Sequence, residues 1–256
     1  MQITIFIISA FIIAGFLLII FRKKKQLTQP DANAEKEILS RHVLFYQRLP
    51  DLEKIRFEES LKKFLQKIRI TGIKTTVEDI DRVFVAAAAI IPIFAFKDWE
   101  YRNIHEVLLY PGSFNEEYHL EGGGRNVSGM VGTGALQNVM LLSQNDLRSG
   151  FLNHTDTSNT AIHEFVHLVD KTDGSTDGIP EILLAHSYIL PWLKCIHEEI
   201  QQIQNGQSDI NPYGSTNEAE FLAVASEYFF EKPSLMQEKH PQLFDLLQKC
   251  FTAGAN

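Results

Sequence analysis

The sequence predicts an α+β fold, mostly helical around a small mixed or antiparallel sheet and preceded by one membrane-spanning helix. Two observations carry this reading. Apolar residues recur at helical spacing near both ends of the body, while a glycine-punctuated stretch in the middle alternates like extended chain. Ahead of the body stands an uninterrupted apolar run that ends in four consecutive positive charges.

That run, residues 3–21, reads ITIFIISAFIIAGFLLIIF, and its only polar side chains are Thr4 and Ser9. As a helix it is long enough for a bilayer core of about 30 Å. A cleaved signal peptide carries its positive charge before the apolar run and a small-residue cleavage site after it. Here Arg22, Lys23, Lys24 and Lys25 follow the run. The positive-inside rule then keeps the basic cluster in the cytoplasm. Residues 1–25 are therefore expected to be a single-pass anchor in the cytoplasmic membrane, with the body on the cytoplasmic side. Residues 26–34, QLTQPDANA, read as a polar linker, and residues 35–256 as one domain.

Within that domain, 35–49 and 51–69 read as amphipathic helices, the second through Leu52, Ile55, Leu61, Phe64, Leu65 and Ile68. The segment VFVAAAAIIPIFAF, 83–96, is apolar all round but too short to span a bilayer, so it is expected to be a core helix. HEVLLYPG at 105–112 is a strand closed by Pro-Gly, and NVSGMVGTGALQNVMLLS at 126–143 is extended chain broken by glycines. Helices are expected again at 157–172, at 180–204 with a break at Pro191, at 217–231 and at 234–251.

Composition removes several functions. Taking the four charges of the basic cluster from the net −8 leaves −12 on the rest of the chain. An acidic body is a poor match for nucleic acid, whose phosphates are neutralised by Lys and Arg. Cys195 and Cys250 stand far apart with no CxxC spacing, which indicates buried thiols rather than a zinc ribbon or a disulfide framework.

The chemistry concentrates in TAIHEFVH, residues 160–167. Histidines four apart lie on one helix face and can point at a common ion. Glu164 is turned about 100° from His163, a position suited to a base beside a metal rather than to a ligand. The plain alternative is a buried helix with two satisfied histidines, which must then also accommodate a buried carboxylate. A catalytic zinc takes three protein ligands and keeps a position open. Three carboxylates compete for the third place: Asp170 on the same helix, and Glu220 and Glu227, seven apart in NEAEFLAVASEYFF.

LLYPGSF (108–114), VMLLS (139–143), AIHEFVHLVDKTDGSTDGIP (161–180) and NPYGSTNEAEFLAVASEYFFEKP (211–233) together resemble the zinc peptidases named after Mlc titration factor A. The resemblance runs through most of the body. It implies a zincin-like metallopeptidase fold with a gluzincin-type site like that of the anthrax toxin lethal factor catalytic domain. One Zn2+ is then held by His163, His167 and Glu220, with Glu164 as general base. A tyrosine seven residues before the ligand glutamate helps stabilise the transition state, and here that spacing gives Tyr213. Asp170 and Glu227 become groups that orient ligands, cap local structure or form ion pairs. An extended segment beside a gluzincin site pairs with substrate backbone, and NVMLLS is the expected one. The implied activity is hydrolysis of peptides or proteins, with an aminopeptidase-like preference as the family suggests.

The family also implies a second class of function, because members sequester a glucose-responsive transcriptional repressor. On that alternative this chain is a regulator-binding protein whose peptidase activity is secondary. Its members are soluble cytoplasmic proteins, whereas this chain opens with an apolar run. The remaining histidines, among them His42, His154, His197 and His240, lack ligand spacing and are expected to be surface or satisfied core groups. Gly122 to Gly124 lack the context of a phosphate loop and read as a flexible loop.

Overall fold

The computed structural model describes residues 30–252 except 98, 116–126, 133, 181, 182, 184 and 185. The apolar run, the basic cluster, the first four residues of the expected linker and the Gly122 to Gly124 run lie outside the described residues. Among the described residues no helix is long and apolar enough to cross a membrane.

The body is the expected α+β arrangement, mostly helical with a small mixed sheet. It opens with α1 (Ala32–His42), which begins three residues inside the stretch read as linker, and α2 (Leu44–Arg48). The single helix expected there is divided at Val43, which is extended and buried. α3 (Asp51–Lys67) buries Phe57, Leu61, Phe64 and Leu65, but leaves Leu52 and Ile55 on its outer side.

The chain then enters β1 (Arg69–Gly72), a strand that the sequence does not announce; only Arg69 falls within the helix expected at 51–69. Four residues are too few to show a period of two against the helical pattern before them. α4 (Asp79–Ile90) is the buried core helix, and it gives way at Pro92 to a short 3-10 turn. Proline has no N–H for the helical ladder and its ring clashes with the preceding turn.

β2 (Glu106–Tyr110), β3 (Gly129–Val131) and β4 (Val139–Ser143) complete a sheet of order β1-β2-β4-β3. β1 and β4 both run parallel to β2, and β3 runs antiparallel to β4. Side chains alternate between the faces of a strand. Val107, Leu109, Met140 and Leu142 join the main core, while Tyr110, Val139 and Leu141 form a smaller cluster with Phe114 on the other face. All five residues of β4 are buried, as expected for an interior strand covered on both sides. NVMLLS therefore has no free edge to offer a substrate; the edge positions belong to β1 and β3.

After β4 come α5 (Gln144–Leu152), α6 (Thr160–Asp170), α7 (Ile189–Gln204), α8 (Glu218–Glu231), α9 (Pro233–Lys239) and α10 (Pro241–Thr252). Pro191 does not break a helix but sits in the first turn of α7, where its missing N–H has no helical partner to lose. The single helix expected at 234–251 is two, each begun by a proline at its first position.

His240, between α9 and α10, is a satisfied core histidine. Its Nδ1 lies 3.0 Å from Glu199 Oε2 and its Nε2 2.8 Å from Asp209 Oδ1. Both ring nitrogens can bond carboxylates only by donating, so the ring is an imidazolium. The Glu199 hydrogen bond raises its pKa. Asp209 is partly desolvated, but Lys239, His240 and Tyr228 outweigh that and bring it down to about 2. A raised histidine stabilises fully below its unfolded value of about 6.5 and loses this as pH rises through its folded pKa. The depressed aspartate acts above about 3.9 and fails as pH falls towards 2. His240→Ala is therefore expected to cost about 2–3 kcal/mol at pH 6. Urea unfolding of both proteins should show that difference shrinking at alkaline pH; an equal loss at pH 6 and pH 10 would rule out the imidazolium.

Candidate metal centre

α6 begins where Asn159 Oδ1 accepts the Ile162 N–H at 3.2 Å. Ile162, Phe165, Val166 and Val169 are buried, which ties the helix into the core and leaves His163 and His167 facing α8. α8 is capped in the same way, Asn217 Oδ1 accepting from Glu220 N at 2.9 Å. Glu220 thus stands in the first turn, where the positive end of the helix dipole favours a carboxylate. Just upstream, a 3-10 turn at Pro212–Ser215 carries Tyr213.

The packing of α6 on α8 brings His163, His167 and Glu220 together. His163 Nε2 is 3.1 Å from His167 Nε2 and 3.0 Å from Glu220 Oε2, and His167 Nε2 is 3.4 Å from the same oxygen. Ligands about 2.0–2.1 Å from a tetrahedral ion are about 3.3 Å from one another. The triangle therefore has the size a zinc ion requires, and nitrogen and carboxylate donors are the types zinc takes. Three lone-pair donors meeting at one point repel each other unless a cation or a proton lies between them. Burial disfavours charge on His163, but the Glu220 and Glu227 carboxylates outweigh it and lift its pKa to about 10. The same histidines overcome the partial burial of Glu220 and lower it to about 2. The residues present fit a zinc ion.

Glu227 does not join the triangle. Its Oε1 accepts from His163 Nδ1 at 2.7 Å, on the far side of the ring, and its Oε2 accepts the backbone N–H of Asn159. With Nδ1 carrying the proton, Nε2 presents its lone pair to the centre. Asp170 stands outside the triangle, close enough for His167 to act on its carboxyl electrostatically. It is fully buried, and its Oδ2 accepts the Gly178 N–H at 2.9 Å. Burial pushes its pKa up to about 6.

Gly178 was not singled out in the sequence, yet it joins both halves of the centre. Its carbonyl accepts from Trp192 Nε1 at 2.7 Å, its φ is +76°, and a Cβ there would lie 2.3 Å from the Glu218 carbonyl oxygen. Only glycine lets the loop after α6 lie against the start of α8. The signal in the sequence is its place between Asp177 and Ile179-Pro180, where a glycine marks a turn.

Glu164 is 6% exposed, and burial raises its pKa. It lies against the edge strand: a Cβ on Gly129 of β3 would come within 2.7 Å of Glu164 Oε1. The Tyr213 ring is 6.0 Å from that of His163 and is 55% exposed, so it borders the centre from the solvent side. Of the other histidines, His197 is exposed and 3.6 Å from Glu218, and His42 meets Phe84 edge-on.

A family model described as glucose-regulated metallo-peptidase M90 matches residues 19–252. Mlc titration factor A of Pectobacterium atrosepticum is 28% identical over 216 residues, covering 79% of this chain and 80% of the relative. Mlc titration factor A of Escherichia fergusonii is 30% identical over 207 residues, 75% of this chain and 76% of the relative. A Synechocystis protein is 28% identical over 244 residues, 90% and 88% of the two chains.

Proposed function

Since the chain belongs to the glucose-regulated metallo-peptidase M90 family, we propose that it is a membrane-anchored, zinc-dependent peptidase. His163, His167 and Glu220 would hold the ion. The observation that supports this most is the 3.0–3.4 Å triangle of those three groups with the buried carboxylate of Glu164 beside it. A bare histidine pair would need neither Glu220 nor Glu164.

Zinc bound there would supply Lewis acidity, making a water acidic near neutral pH and polarising a peptide carbonyl. Glu164 takes the proton from the attacking water and passes it to the leaving amine. Its burial favours this, because a carboxylate with a raised pKa accepts a proton more readily at neutral pH. Tyr213 donates its hydroxyl proton in a hydrogen bond to the oxygen that gains charge as the carbonyl carbon becomes tetrahedral. Glu227 keeps the His163 ring oriented through this cycle. The substrate backbone pairs with the free edge of β3, as an added antiparallel or parallel strand.

Hydrolysis of a mixed peptide pool by the purified full chain tests the reading. Turnover should disappear with a zinc chelator and return with zinc. Faster cleavage of peptides with a free amino terminus than of their acetylated forms would support an aminopeptidase-like preference.

The relatives named Mlc titration factor A support a second reading, in which this chain also binds a transcriptional regulator. Binding needs no general base, so capture of a regulator by the Glu164→Gln protein separates the two roles.

The anchor is part of the proposal. A reporter fused after Asn256 is expected to be active in the cytoplasm and to sediment with membranes, and deletion of residues 1–25 should release it to the soluble fraction. Recovery of the intact body outside the cell would overturn this orientation.

A further inference from the structure

Phe165 is two residues from each metal-site histidine, and two residues turn a helix by about 200°, so its side chain leaves α6 on the opposite side. It is fully buried and meets Phe64, with ring centroids 5.8 Å apart, and Tyr101, at 5.3 Å. Those two rings also line a cavity of about 350 Å³ between α3 and residues 90–97 and 99–101. The cavity thus backs onto the side of α6 away from the metal centre, and the proposed peptidase chemistry makes no use of it.

Its interior is built for a flat apolar body. Phe64, Ile68, Ile93 and Phe94 are buried beneath it, and Trp99 stands edge-on to Tyr101 at 4.7 Å along one wall. Small-molecule sites run from roughly 300 to 1,000 Å³ with apolar walls and a few polar groups, and this cavity falls within that range.

The described residues of the rim are net positive, unlike the chain as a whole. Among the described residues it carries Arg56, Lys63, Lys67 and Lys97 against Glu59 and Glu100, an excess of two positive charges on a chain of net −8. Two of the cations are already engaged. Arg56 bonds Glu53 and the Phe94 carbonyl and lies 3.8 Å over the Phe94 ring, and Lys67 pairs with Glu100 at 2.5 Å. Lys63 and Lys97 are exposed and have no ion-pair partner among the described residues. An apolar slot with two uncommitted ammonium groups at its mouth matches a ligand with an aromatic body and one anionic group.

We propose that this cavity is a binding site for a small aromatic anion, seated between Phe64, Trp99 and Tyr101, with its acidic group held by Lys63 and Lys97. Naphthalene sulfonate is the probe, titrated calorimetrically into the full chain with a detergent-only blank. One site per chain is expected. Lys63→Glu combined with Lys97→Glu should weaken binding at least about tenfold, because two attractive charges at the mouth become repulsive. Both positions are exposed, so the variant should keep the wild-type unfolding midpoint. Naphthalene methanol, with the same rings and no charge, should bind more weakly than the sulfonate to the wild type and equally to both proteins. The proposal fails if the full chain does not bind the sulfonate at millimolar concentration, if the double variant binds it unchanged, or if the uncharged probe binds as tightly. None of these readouts depends on peptidase activity.

Discussion

Glu164→Gln is expected to keep zinc at near one ion per chain and to lose peptidase activity by at least about 100-fold, the scale of general-base catalysis. Glutamine has nearly the shape of glutamate and still forms hydrogen bonds, so the packing beside Gly129, where no Cβ fits, is preserved. It cannot take a proton at neutral pH. The Glu164 carboxylate is not one of the three groups in the 3.0–3.4 Å triangle, so the donors to the ion are untouched. Metal content and turnover measured on the same preparation decide the matter. Full zinc with turnover near wild type would make Glu164 a structural group whose buried carboxylate serves packing against β3.

The helices that carry the centre were legible because each has a strong local signal. TAIHEFVH combines ligand spacing with an apolar face, and Tyr213, Glu220 and Glu227 sit at fixed offsets in one capped helix and the turn before it. What was not legible depends on the tertiary arrangement. β1 is four residues long and is defined by its pairing with β2, not by its own pattern. NVMLLS reads as a good strand and is one, but whether a strand is interior or at an edge depends on what pairs with it. β3, shorter and glycine-containing, takes the place beside α6. Asp170 has the spacing to reach a histidine on its own helix, and the structure instead turns it to the Gly178 N–H, a contact set by how the following loop returns. Glu227, seven residues and about 10 Å of helix beyond Glu220, meets the far side of the His163 ring, a relation that the spacing along one helix makes readable in advance.

That separation underlies the expected outcome of removing each carboxylate in turn. Glu220→Ala should release zinc or weaken its binding by orders of magnitude, because it removes the only carboxylate of the triangle and leaves two neutral donors. Glu227→Ala should leave the ion bound but about 10–100-fold more weakly, the usual cost of losing a carboxylate that orients a metal-binding histidine. The structure shows why the two differ although both touch the same side chain. Glu220 approaches His163 at Nε2 and Glu227 at Nδ1, so the imidazole spans the distance between them and only Glu220 is on the metal side. Asp170→Ala should leave zinc affinity close to wild type and lower stability, since Asp170 bonds the Gly178 N–H rather than a donor to the ion. Zinc affinity and urea unfolding on the three folded variants separate these effects. Should Glu227→Ala empty the site while Glu220→Ala keeps it, the metal would lie on the Nδ1 side of His163, and Tyr213, placed by its spacing from Glu220, would lose its role in stabilising the oxyanion.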